Sequence, residues 1–301
     1  MNYEMSLEEK AYLEHYDPKQ FDQPSLTVDI AVFAIYAEED PDRDYRKDPP
    51  LELSLLMIRR GSFPYKDCWA LPGGFARPGE TTVQCAQREL REETSVDDAY
   101  LGSFDLFSEA GRDPRGCIIS QGFLALVDAK DYRLRAGTDA WDARWFRISL
   151  KTAETKKEVS EEACRLIRYY ELTLENRELD VTLSARLREE KSFHRHHESV
   201  TVDILESSGF AFDHAEIILR AFLELRRQTE LEGKIAFDLM PGTFTLNMLQ
   251  EVHEIILGKK LITPNFRRKI APMVTETSES VSGAGHRPAK LFRRNPDAFI
   301  D

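Results

Sequence analysis

The 301-residue chain is 42% hydrophobic and 31% charged, the composition of an ordinary globular protein with room for two cores. Its opening, MNYEMSLEEKAYLEHY, is acidic and lacks the apolar stretch of a secretion signal, and no apolar run approaches a membrane span; a cytoplasmic protein with no membrane partner is expected. The formal charge of -12 argues against nucleic-acid binding by the body of the chain, yet Lys259 to Arg294 is rich in Lys and Arg against only Glu276 and Glu279, so a basic module follows an acidic one. Cys68, Cys85, Cys117 and Cys164 show no paired metal-site spacing and read as free thiols of a reducing compartment.

In chain order, residues 1–24 read as an N-terminal arm: a short amphipathic helix and a Pro-bounded linker. Leu26–Tyr36 and Leu51–Arg59 read as strands, the first so continuously apolar that both its faces are expected to be buried, with the acidic Glu38–Asp48 as a loop between them. Trp69, Leu71 and Pro72 lead into GGFARPGETTVQCAQRELREETSV, Gly73 to Val96. Pro72, Gly73 and Gly74 form a tight loop, Pro78 and Gly79 a second turn, and a helix is expected from Glu80 through Thr94. On that helix Glu89, Glu92 and Glu93 stand at i, i+3 and i+4, so they share one face. Like charges repel there, and a hard divalent cation, Mg²⁺ or Mn²⁺, supplies the reason to gather them. Arg88 is placed to pair with Glu80 across the loop.

These residues resemble the Nudix box, Gly-x5-Glu-x7-Arg-Glu-U-x-Glu-Glu-x-Gly-U with U apolar, at Gly74, Glu80, Arg88, Glu89, Leu90, Glu92, Glu93 and Val96. Ser95 departs, standing where the family has glycine at the helix end, a strain of about 1 kcal/mol and not a lost ligand. The resemblance implies an α/β fold, the Nudix sandwich, over residues 25–148, and hydrolysis of a nucleoside diphosphate linked to another moiety. It also implies Glu89, Glu92 and Glu93 as metal ligands, with the Gly73 carbonyl as a possible further one.

After the box, strands are expected around Tyr100–Phe107 and Cys117–Val127, joined by SEAGRDPRG. Nudix enzymes often draw a general base from such a loop, and the resemblance makes Glu109 the candidate with Asp113 in reserve. Arg112 and Arg115 are candidate phosphate contacts, although Asp-Pro-Arg-Gly is also a good turn by its chemistry alone. WDARWFRI, Trp141–Ile148, is expected to close the domain with a strand and a helix start. Residues 149–210 alternate as a β-rich extension, and its HRHHE, His194–Glu198, reads as a solvated hairpin end because adjacent His196 and His197 would point to opposite faces.

From Asp213 the pattern becomes helical, with Asp213 as cap, Glu216 three residues on, and Ile217, Ile218, Ala221, Phe222 and Leu225 in one apolar stripe. Thr245 caps a helix to Leu257, Gly258 stops it, and Pro264 opens the helix NFRRKIAPM; Met273–Thr277 and Ala289–Arg293 alternate as strands around SGAGHRP. Over residues 211–295, before a tail at 296–301, this is the order of a winged helix-turn-helix. Its basic helix would offer Asn265, Arg267, Arg268 and Lys269 to the major groove of double-stranded DNA, while Phe266 and Ile270 turn inward. Arg287, Lys290, Arg293 and Arg294 of the wing would hold phosphates.

A Nudix domain followed by a winged helix, with FDHAEIILRA joining them and TPNFRRKI as the second helix, resembles the Nudix-related transcriptional regulators of NAD metabolism and bacterial Nudix hydrolases of the same layout. Regulators of that kind commonly have a decayed box and sense ADP-ribose, whereas the carboxylates here are all present. The sequence therefore puts first a Mg²⁺-dependent hydrolase of ADP-ribose or a related compound fused to a DNA-binding domain. An ADP-ribose sensor acting as a homodimer on DNA without turnover is the rival.

Overall fold

A central strand that water cannot reach from either side sets the architecture. The computed structural model describes residues 5–17, 20–37, 50–94, 99–128, 143–281 and 289–300. In it β1 (Ser25–Ala37) is buried from Thr27 through Ile35. Period-two alternation sends Val28, Ile30, Val32 and Ala34 into one apolar layer and Ala31, Phe33 and Ile35 into another. β1 pairs in antiparallel register with β2 (Leu51–Arg59) and, at its other end, with β4 (Gly73–Phe75), and runs parallel to β6 (Ile118–Val127). The two-residue β3 (Trp69–Ala70) pairs β2, and β5 (Tyr100–Phe107) pairs β6.

The first layer is closed by α2 (Thr82–Thr94), which lays Cys85, Ala86 and Leu90 on the sheet. The second is closed by α3 (His214–Leu231), whose Ile217, Ile218, Ala221, Phe222 and Leu225 are buried against it. Phe222 meets Phe33 edge to face with ring centroids 6.0 Å apart. The helix expected to join two domains is thus also the second wall of the α/β/α sandwich. Asp213 stands at its N-cap position without a side-chain cap bond, because its carboxylate is engaged elsewhere.

The sheet then outgrows the sequence-based boundary. Where Ile148 was expected to precede a helix start, β7 runs unbroken from Ala143 to Val159; Trp141 lies outside the described residues. β8 (Ala163–Asn176), β9 (Val181–His194) and β10 (His197–Ser208) follow as a meander, giving the order β10-β9-β8-β7-β2-β1-β6-β5. The reason is visible in β8 and β9, where Leu172, Leu174, Leu183 and Leu187 extend the core shared with α3. HRHHE forms the exposed tip between β9 and β10, with Arg195 at φ +54°, as expected of a hairpin end. At the other terminus α1 (Leu7–His15) forms with a Ser6–Glu9 capping box and buries none of its residues.

The C-terminal module begins with a 3₁₀ turn at Ile235–Leu239 and continues through α4 (Leu246–Leu257) and α5 (Thr263–Ile270). Thr245 caps α4 by accepting the Met248 N–H at 3.1 Å, and Gly258 ends it in the left-handed region at φ +66°. β11 (Val274–Val281) and β12 (Ala289–Arg294) form the wing, and an isolated bridge between Phe244 and Phe292 adds a third short edge. The glycine-rich tip, with Arg287, lies outside the described residues, as do Ser95 and Val96.

Because Phe222 joins α3 to the sheet, Phe222→Ala is expected to destabilise the protein by about 3–5 kcal/mol, read as a lowered urea midpoint.

Candidate functional site

The loop before α2 is held by two close approaches. A Cβ on Gly73 would run into the Val28 carbonyl, so that position requires glycine, while one on Gly74 would push aside the end of the Glu89 side chain. The loop then turns at Gly79, φ +87°, and delivers Glu80 to Arg88. Arg88 Nε and Nη2 donate to the two Glu80 oxygens at 2.6 and 3.0 Å, the pairing expected from the sequence. That hydrogen bonding, with the Arg77 N–H, holds Glu80 down to about 2. The same guanidinium donates from Nη1 to Glu89 at 2.5 Å and to Glu92 at 3.2 Å, and from Nη2 to the Phe75 carbonyl at 3.1 Å.

Glu89, Glu92 and Glu93 line one cavity of 510 Å³ together with Gly73 and the segment after β2 around Arg60. Glu93 accepts the Gly73 N–H at 2.9 Å. Burial pushes its carboxyl up to about 8, against the pull of that hydrogen bond and with the help of Glu89, Asp29 and Glu92. Three carboxyl groups on one wall suit a hard divalent cation chemically, and such a cation would favour the ionised form of Glu93 against its burial. Among the described residues, however, no group of three acidic, His or Cys side chains is gathered tightly enough to hold a metal ion, and Arg88 engages Glu89 and Glu92.

A smaller cavity of 160 Å³ shares the wall formed by Arg60, Leu71 and Gly73. It is lined by Asp29, Phe75, Phe212 and the loop residues Arg112, Asp113 and Arg115. Arg115 donates to both Asp113 oxygens and lies over Phe75 and Phe212 at 5.1 and 5.4 Å; Arg60 lies over Phe212 at 4.8 Å. Burial pushes Asp113 up, but hydrogen bonds from Arg115 outweigh it and leave the carboxyl below its ordinary value. Acidic groups thus flank one side of the shared wall, and guanidinium and aromatic groups the other.

Sequence reasoning missed the centre of this arrangement. Asp29, buried in the middle of β1, accepts the Ser120 hydroxyl at 2.5 Å and faces both Arg112 and His214 at 3.6 Å. His214 Nδ1 accepts the Leu71 N–H at 2.8 Å, which leaves its proton on Nε2, toward Asp29. Burial lowers the pKa of His214, which keeps it neutral near pH 7. Arg112 forks onto Asp213 at 2.7 and 2.8 Å, with its side chain only 6% exposed. The one available signal was Asp29 itself, a lone acid inside an apolar strand. Of the loop candidates, Arg112, Asp113 and Arg115 reach the smaller cavity, whereas Glu109 is exposed and lines neither cavity.

On the C-terminal module α5 buries Phe266 and Ile270 and exposes Asn265, Arg267, Arg268 and Lys269, as expected. Arg268 donates to Asn265 at 3.0 Å, Arg267 to Asn247 at 3.1 Å, and Lys290 pairs Glu276 at 2.6 Å, all exposed. Arg294 differs from its expected role on phosphates: it pairs Asp238 at 2.5 Å and lies over Phe299 at 4.6 Å, pinning the wing to the 3₁₀ turn.

Fold and site together define a two-domain protein, a Nudix domain whose sheet is extended by a β meander and followed by a winged helix. The NUDIX domain family matches residues 30–168, and the NrtR DNA-binding winged helix domain matches residues 236–294. The chain is 29% identical over 288 residues to an ADPR responsive transcriptional repressor of Acinetobacter baylyi, covering 95% of this chain and 88% of that one, and is homologous to it. It is 39% identical over 95 residues to an ADP-ribose pyrophosphatase of Methanocaldococcus jannaschii, covering 32% of this chain and 55% of that enzyme. Among solved structures, a MutT/nudix family protein from Enterococcus faecalis superposes with a TM-score of 0.67 at 25% identity, over 97% of this chain and 94% of its own.

With its folded pKa raised from 4.5 to about 8, Glu93 favours the fold while protonated. That contribution is complete below its unfolded value and is lost as pH climbs through about 8. In metal-free buffer the urea midpoint of the wild type should therefore fall between pH 5 and pH 8 relative to Glu93→Gln, which keeps an acceptor for the Gly73 N–H. Parallel curves would show that Glu93 ionises normally.

Proposed function

We propose that the chain is a DNA-binding transcriptional regulator whose Nudix cavities take ADP-ribose or a closely related nucleoside diphosphate, and whose DNA affinity responds to that ligand. The observation that carries the reading is the double engagement of Arg112, which lines the smaller cavity and at the same time grips Asp213 at the start of α3. A diphosphate entering beside Arg60, Arg112 and Arg115 competes with Asp29 and Asp213 for guanidinium donors, and the exposed Phe75 ring offers a base a place to stack. Redistribution of those bonds changes how α3 is held, and α3 leads through the Ile235–Leu239 turn into α4 and α5. The similarity to the Acinetobacter repressor over nearly the whole chain supports the same reading. Exposed Asn265, Arg267, Arg268 and Lys269 on α5, with Lys290 and Arg287 of the wing, are the proposed DNA contacts of a homodimer.

Hydrolysis, which the sequence puts first, is the second reading, and the complete carboxylate set of α2 favours it along with the partial similarity to an ADP-ribose pyrophosphatase. Glu89, Glu92 and Glu93 would hold Mg²⁺ or Mn²⁺, which when bound supplies charge neutralisation of the diphosphate and activation of water. Arg88 would then release Glu89 and Glu92 while keeping Glu80 and the loop in place. Arg60 and Arg115 would orient the phosphates. Glu109 enters this reading only if the loop turns it inward from its exposed position.

The test uses a duplex selected by the protein from a random pool, followed by fluorescence anisotropy. ADP-ribose should weaken or tighten retention of that duplex at least tenfold, and binding should fall steeply with salt. The Glu92→Gln/Glu93→Gln double variant should keep that response while losing any release of AMP in Mg²⁺. DNA retention indifferent to ADP-ribose, with rapid AMP release, would replace the regulator with the hydrolase.

A further inference from the structure

The outer half of the β meander carries an apolar band that is open to solvent. From Lys151 onward β7 is exposed, and β8, β9 and β10 continue beside it. The register places Val159 opposite Cys164, Cys164 opposite Phe193, Leu166 opposite Lys191, and Lys191 opposite Val200. Cross-strand partners, and residues two apart on one strand, share a face, so these side chains form one patch across all four strands. Val159, Phe193 and Val200 are 69, 51 and 40% exposed, a gathering of large apolar groups in water of the kind that marks an interaction surface. The same face carries Lys157 opposite Leu166, with Arg168 two residues beyond Leu166. Against these cations and Lys191 stand Glu198 and Glu189, and Glu189 already faces Arg168 and Lys191 at 3.4 and 3.2 Å. The surroundings of the band are therefore positive. The band runs on into a cleft of 660 Å³ that Lys191 and Val200 line together with α3.

The complementary element is α1. It buries none of its nine residues, although a helix that short has little stability of its own in water. Tyr12 and Tyr16 at i and i+4, with Leu13 three residues before Tyr16, present one exposed apolar face, and Glu8 and Glu9 extend it by a turn. Within one chain this helix cannot reach the band. β1 and β7 run in the same direction, both antiparallel to β2, with Ala34 and Arg147 level across Ser54. Ser25, where β1 starts, and Val159, where β7 ends, thus stand at opposite ends of the sheet, roughly 60 Å apart by the rise of a strand. Residues 16–24 at full extension, with the length of α1 added, span at most about 45 Å. The arm that covers the band must come from another copy.

We propose that two copies of this chain exchange N-terminal arms, with α1 of each lying on the apolar band of the other's meander. Tyr12, Leu13 and Tyr16 cover Phe193 and Val200, while Glu8 and Glu9 meet the positive surroundings of Lys157 and Lys191. Each pair of copies makes the contact twice, as a two-fold axis requires. The exchange deepens the regulator reading, which rests on a homodimer, by naming the surface that joins its halves.

Sedimentation equilibrium of the full-length protein, without DNA or ADP-ribose, reads the dimer dissociation constant directly. The wild type is expected to be dimeric at micromolar concentration. The arm variant Tyr12→Ala/Leu13→Ala/Tyr16→Ala and the band variant Phe193→Asp should each weaken the dimer by about tenfold or more. All four positions are exposed, so the urea midpoint of the fold should hold. The arm variant keeps an intact band and the band variant an intact arm, so an equal mixture should form a heterodimer tighter than either variant's homodimer. A monomeric wild type, a variant dimer as tight as the wild type, or a mixture no tighter than its components overturns the proposal. Dimers that behave as expected, with DNA retention indifferent to ADP-ribose, would remove the regulator reading and leave the arm exchange standing.

Discussion

A carboxylate buried in the central strand constrains everything around it. Asp29 sits where β1 has apolar layers on both sides, and an ionised acid is stable there only if surrounding donors replace water. The Ser120 hydroxyl, the His214 ring and the Arg112 guanidinium do so from three separate segments: β6, the start of α3, and the loop between β5 and β6. Because Arg112 also forks onto Asp213, the electrostatic requirement of one strand residue fixes the N-terminal end of the helix that continues toward the winged helix. Removing one partner of such a set leaves the others buried and unpaired, which makes the network cooperative.

The Nudix half is organised by a second guanidinium with a different task. Arg88 binds Glu80, Glu89 and Glu92 together and so ties the loop and the turn to one face of α2. Glu93 stands apart from that clamp, tied to the Gly73 N–H and kept from ionising by burial beside Glu89 and Asp29. Asp29 thus acts on both cavities, as a like charge near Glu93 and as a counter-charge near Arg112. A ligand that changes the charge balance in either cavity changes it in the other.

How much of this could be read from the chain depended on whether the information was local. The turn, the α2 carboxylate face, the Arg88–Glu80 pair, the Thr245 and Gly258 caps and the inward Phe266 and Ile270 follow from spacings of a few residues, and they stand where the spacings put them. The apolar stripe of α3 was equally plain, but a stripe does not say what it covers; the answer, Phe33 and the Nudix sheet, lies almost two hundred residues upstream. Likewise Asp213 has every sequence feature of a helix cap, and the structure gives it to Arg112, a partner 101 residues away. Phe212 and His214 lie in the FDHAEIILRA stretch that marked the joining helix, but nothing in it pointed to a site, since their roles come from which loop they face.

The most direct measurement separates ligand binding from its transmission. Asp213 lines neither Nudix cavity, so Asp213→Asn removes the grip on α3 and leaves the cavity walls intact. ADP-ribose affinity of the full-length variant, by calorimetry, should be no weaker than that of the wild type, since the change removes a competitor for Arg112 and no cavity contact. Retention of the selected duplex should meanwhile lose most of its dependence on ADP-ribose. A variant that binds ADP-ribose normally and still shifts its DNA affinity as the wild type does would show that the signal does not pass through Arg112 and Asp213.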